Sequence, residues 1–64
     1  MQAKFFYNYT VHRTEQSDSF CYGIMTLNDT KEDTCVDEAF EYLKKESKEK
    51  NPNDDINITA FNRV

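Results

Sequence analysis

The sequence is short of the residues that punctuate or staple a chain. It has one glycine, one proline, one histidine, two cysteines and no tryptophan. One glycine excludes a Gly-rich phosphate loop and a Ca²⁺ loop of the D-x-[DN]-x-[DN]-G type. One histidine and two widely spaced cysteines exclude paired C-x-x-C or H-x-x-x-H metal spacings. No apolar run approaches the length that spans a bilayer, and no charged segment followed by an apolar one opens the chain like an export signal. The expectation is a cytoplasmic protein whose Cys21 and Cys35 stay reduced. The triplets Asn8-Tyr9-Thr10, Asn28-Asp29-Thr30 and Asn57-Ile58-Thr59 are then chance matches to the glycosylation pattern.

Basic charge is also scarce. Eight Lys and Arg face twelve Asp and Glu, for a net charge of −4. A protein that grips phosphates needs a basic face, so this balance argues against direct nucleic-acid binding. At 64 residues there is room for one domain, residues 1–64, and for a thin core only. Mean hydropathy is −0.90, which favours disorder. Aromatic residues make up 14% of the chain, which favours a fold.

Those rings come early. In "KFFYNYTVHR", Phe5, Phe6, Tyr7 and Tyr9 fall within five positions. Residues 3–12 alternate, which predicts a strand with Ala3, Phe5, Tyr7, Tyr9 and Val11 facing inward. Residues 13–19 are polar and read as a hairpin connection. Residues 20–27, "FCYGIMTL", predict a second strand. Its two faces are similar, and bulk puts Phe20, Tyr22, Ile24 and Thr26 inward. Gly23 marks a bulge or the close approach of another side chain.

After a turn over residues 28–33, Thr34 and Asp37 form a capping-box pattern, with Thr30 and Asp33 as the alternative start. A helix follows, with Val36, Ala39, Phe40 and Leu43 as its apolar stripe. Its acids come first and its lysines last, as the macrodipole favours. Glu41–Lys45 and Glu46–Lys50 supply i,i+4 pairs. Pro52 ends the helix at or before Asn51. Residues 51–55 form a loop, and residues 56–64 a third strand. Strict alternation there puts Ile56, Ile58, Ala60 and Val64 on one face and Asn57, Thr59, Phe61 and Arg63 on the other.

The reading is an α+β fold of order β-β-α-β, with the helix on one face of a mainly antiparallel three-stranded sheet. Strand order 2-1-3 is preferred over 1-2-3, because it centres the most apolar strand and pairs only antiparallel neighbours. The helix should pack on Phe5, Tyr7, Tyr9, Ile24, Ile56 and Ile58.

The sequence points to no catalytic, cofactor-binding or metal site, and to no small-molecule substrate. Nucleophilic catalysis needs a base beside the nucleophile. His12 and Cys21, placed together on the outer sheet face, are a pair without a third group or a cleft, so an enzyme is not expected. The outer face is the more informative surface. Phe6, Met25 and Phe61 should lie there with Leu27, edged by His12 and Arg63. An apolar group rimmed by polar residues suggests an interface. Edge strand three, with one charge and no proline, could pair with its own copy. The expected partner is a second copy of the chain or another protein, with no membrane involved. Residues 29–55 hold ten acids and five lysines. An acidic helix that occupies a basic site on another protein is therefore one alternative, and the interleaved lysines favour a merely soluble face instead. Sheet aromatics that stack on single-stranded RNA are the other alternative.

The stretches "FFYNYTVHR" and "ITAFNRV" resemble the terminal motifs of small phage- and prophage-encoded proteins of unassigned function. The match covers about a quarter of the chain. The resemblance implies a bacterial cytoplasmic setting and action by binding a host protein, and it carries over no site residues.

Overall fold

A computed structural model describes all of Met1 to Val64. It contains β1 (Ala3–His12), β2 (Ser19–Leu27), α1 (Cys35–Lys50) and β3 (Asp55–Arg63). The strands form one antiparallel sheet of order β2-β1-β3, with β1 in the centre. This is the α+β architecture and the strand order expected from the alternation. The helix is not long and apolar enough to cross a membrane.

The inward set of β1 is as expected. Ala3, Phe5, Tyr9 and Val11 are buried, and Tyr7 packs against them. The two outer strands depart from their expected phases. On β2, Met25 is buried and Cys21 and Leu27 pack on the core, while Phe20, Tyr22 and Ile24 are exposed. The inward assignment of Phe20, Tyr22, Ile24 and Thr26 is therefore corrected. On β3 the pairing slips between Asn8 and Tyr9 of β1. Asn8 opposes Ala60, while Tyr9 opposes Ile58. Thr59 is the extra residue, a β-bulge whose hydroxyl donates to the Asn8 carbonyl at 3.1 Å. The bulge resets the alternation by one. Ile56, Ile58 and Phe61 all face the helix, and Ala60 shares the opposite face with Asn8.

Phe61 thereby enters the core. Its ring stacks on Phe5, with centroids 5.3 Å apart and planes 2° apart, and meets the edge of Phe40 at 73°. Such ring pairs add to the burial of their area.

The helix is rotated from the expected stripe. Cys35, Ala39, Leu43 and Ser47 are its buried residues, Phe40 is half-buried, and Val36 is 50% exposed. Ser47 tolerates burial because its hydroxyl donates to the Lys44 carbonyl at 3.1 Å. Thr34 stands at the N-cap but makes no side-chain cap bond. Instead Thr34 and buried Thr30 both donate to the Glu38 carboxylate, at 3.1 and 2.8 Å. At the other end the Asn51 N–H donates to the Ser47 carbonyl at 3.1 Å, and its side-chain amide donates to the same oxygen at 3.0 Å. The Glu46–Lys50 pair forms as expected at 3.0 Å, whereas Glu41 pairs with Lys44 rather than Lys45.

Candidate interaction surface

One glycine sets the face of the sheet that stays open. Gly23 lies opposite Tyr7 in the β1–β2 register. A Cβ at Gly23 would stand 2.9 Å from the Tyr7 hydroxyl oxygen. The Tyr7 ring thus lies across Gly23 on the helix side, in space a side chain would otherwise fill. Period two then turns Cys21, Met25 and Leu27 inward with Gly23. It turns Phe20, Tyr22, Ile24 and Thr26 outward.

The outward row is apolar and bare. Phe20 and Tyr22 are each 73% exposed and Ile24 is 55% exposed. Ile24 lies opposite Phe6, so the row and the central strand share one patch. Asn8 opposes Tyr22, Thr10 opposes Phe20 and Lys4 opposes Thr26, which gives the patch a polar border along β1. Single exposed apolar residues are common, but contiguous ones rimmed by polar side chains mark contact surfaces.

Of the six residues expected on this face, the structure places two there, and Leu27 packs on the core instead. Phe6 is half-buried between Ile24 of β2 and Asn62 of β3. His12 is exposed, with its Nδ1 2.7 Å from a carboxylate oxygen of Asp18. The other three are corrected. Met25 is buried because Gly23 fixes the phase of β2. Phe61 belongs to the core because the Thr59 bulge reverses the phase of β3. Arg63 opposes Phe5 and reaches the carboxylate of Glu32, in the turn that leads to α1. That ion pair holds Glu32 below and Arg63 above their ordinary pKa values. The sequence reading missed Phe20, Tyr22 and Ile24. Gly23 carried the signal that finds them, since a close approach from inward-facing Tyr7 requires Gly23 to face inward too.

The same phase separates the one pair of residues with nucleophilic potential. Cys21 opposes Tyr9 and lies on the helix side, whereas His12 lies on the open side. Both cysteines are free thiols. No three His, Cys, Asp or Glu side chains gather where they could hold a metal ion.

On the helix side, a shallow cleft of about 220 Å³ runs between α1 and β2, lined by Tyr7, Tyr9, Met25, Tyr42, Glu46 and Lys50 among others. Burial pushes the Tyr9 phenol up to about 12 from its ordinary 10.0, and the adjacent Cys21 thiol adds to the shift. Folding favours the neutral phenol. Its contribution is complete below pH 10 and is lost as pH rises through about 12. Alkaline unfolding in that window is the expected outcome, followed by circular dichroism. A Tyr9→Phe variant should unfold at higher pH, because it has no phenol to ionise.

Comparison with protein families, with curated proteins and with solved structures returns no match to this chain.

Proposed function

We propose that this chain is a non-enzymatic protein-interaction module that works through the open sheet face where it meets the β2 edge. The observation that carries the reading is the row Phe20, Tyr22 and Ile24, three large apolar side chains more than half exposed on consecutive outward positions. Burying that row against a partner removes apolar area from water at about 25 cal/mol per Å². The resemblance of both chain ends to phage proteins supports a bacterial cytoplasmic setting for that contact.

The competing readings gain less. An acidic helix aimed at a basic site needs unpaired acids. On α1, however, Glu41 and Glu46 already pair with Lys44 and Lys50 at 3.0 Å and Glu38 accepts from Thr30 and Thr34, which leaves Asp37 and Glu49 as a small acidic set. Single-stranded RNA would find rings in Phe20 and Tyr22. Beside them the open face offers Lys4 and a His12 already held by Asp18, which is a small basic set for a groove that must track phosphates.

The test is a Phe20→Thr/Tyr22→Thr/Ile24→Thr variant, which keeps β-branched residues on the strand. Its circular dichroism should match the wild type. Association, with itself or with a bacterial protein retained by the immobilised chain, should fall at least tenfold. An association that persists in the folded variant would discard this surface. Binding of mixed oligonucleotides that weakens with salt would favour the RNA reading instead.

A further inference from the structure

The two edges of the sheet are protected very differently. An edge strand presents unpaired N–H and C=O groups that template pairing with another chain, and proteins blunt such edges with charge, proline or bulges. On β3 the blunting devices are present. Asp55 stands at its start and Arg63 at its end, and the Thr59 bulge interrupts its regular pleat. On β2 there are none. Ser19–Leu27 contains no charged residue and no proline, and its register with β1 runs unbroken from Ala3↔Leu27 to Val11↔Ser19.

We propose that the partner of this edge is a second copy of the chain, with β2 pairing antiparallel to its mate about a two-fold axis at Gly23. The proposal rests on the interaction reading above and names the partner. The sequence of β2 is self-complementary about that axis. Tyr22 meets Ile24 of the partner copy, Phe20 meets its Thr26, and each such pair occurs twice. Aromatic residues opposite β-branched ones are favourable cross-strand pairs. On the helix side Gly23 meets Gly23 and Cys21 meets Met25, so no bulky pair collides over the Tyr7 rings. The product is a six-stranded sheet with both helices on one face.

Charge selects the same edge. Each chain carries −4, so two copies repel unless the contact itself is neutral. The strand is neutral, and on its helix-side rim Glu46 and Lys50 already form a pair at 3.0 Å. Self-pairing of β3 about its centre is less regular, because the bulge would stand in the new ladder. Size sets the strength. Nine residues extend about 30 Å. The molecule measures 42 × 18 × 14 Å, so a contact along β2 offers roughly 400–550 Å² per copy. Two copies together then bury roughly 800–1,100 Å², the size of a weak, reversible interface. A dimer that dissociates on dilution is the expected behaviour.

Light scattering over a wide dilution range should give twice the mass of one chain at high concentration and one chain at low. Ile24→Lys/Thr26→Lys puts charges on exposed edge positions, and should give the mass of one chain throughout with an unchanged fold. The register is read by cross-linking in a Cys21→Ala/Cys35→Ala background. Directly opposed residues have Cα atoms close enough for a disulfide, and residues displaced by two positions do not. Tyr22→Cys mixed with Ile24→Cys should therefore form a disulfide-linked pair at least tenfold faster than either variant alone. A dimer without that cross-link overturns the proposed pairing and leaves the interaction surface standing. A monomer that captures another protein through the Phe20/Tyr22/Ile24 row does the same. A monomer that captures nothing overturns both readings.

Discussion

Phe61→Thr is expected to lose about 3 kcal/mol at 25 °C, between a third and the whole of the domain's stability, while Phe6→Thr stays close to the wild type. The two phenylalanines are the most informative pair in the molecule, because their sequence surroundings look alike and their places do not. Phe61 lies flat on Phe5, which has no exposed surface, and touches the edge of Phe40. Removing its ring opens a cavity between sheet and helix and strands the Phe5 face, a loss of about 3 kcal/mol. A 64-residue domain holds only roughly 3–10 kcal/mol in total. With a urea slope near 1 kcal/mol/M, the midpoint should fall by about 3 M. Phe6, on the open face, loses a cross-strand pair with Ile24, worth about 0.2–1 kcal/mol. A Phe61→Thr midpoint within about 0.5 M of the wild type would place that ring outside the core, contrary to the bulged register.

That contrast also shows how far the sequence could be read. Period-two alternation on the central strand and charge sorting along the helix gave the element order and the sheet order, because both signals are strong and local. The phases of the outer strands were not legible by the same means. On β2 the two alternating sets have similar hydropathy, and bulk chose the wrong one. The deciding fact was relational, since Gly23 faces the helix because Tyr7 lies over it. On β3 a single bulge at Thr59 shifts Phe61 and Arg63 to the other face, and no residue type announces a bulge without a glycine. The candidate surface inherited both errors. Phe6 and His12 belong to a strand read in its correct phase and so stayed in place. Met25, Phe61 and Arg63 belong to the two strands that were not, and Phe20, Tyr22 and Ile24 were hidden by the same mistake.

The helix carries a second such pair. Ala39→Asp is expected to abolish the fold at neutral pH, while Val36→Asp leaves the urea midpoint nearly unchanged. Both residues sit in the first half of α1, and the stripe expected from apolar spacing includes both. In the structure the buried line runs Cys35, Ala39, Leu43 and Ser47, one position round from that stripe. Ala39 has no exposed surface, whereas Val36 is half exposed. A carboxylate at position 39 would be held against the sheet without a partner. Uncompensated buried charge costs several kcal/mol, on the order of the whole stability of a domain this small. A carboxylate at position 36 faces water near the helix N-terminus, where the macrodipole favours it. The buried acid should also leave a pH signature. Burial raises its folded-state pKa, so the part of its penalty that comes from charge is absent below the unfolded value near 4 and grows as pH rises. The gap between Ala39→Asp and the wild type should therefore narrow below about pH 4 and widen towards neutrality. Equal and pH-independent losses at positions 36 and 39 would mean that the helix presents a different side to the sheet. The cleft beside β2, and with it the neutral rim on which the dimer geometry depends, would then have to be redrawn.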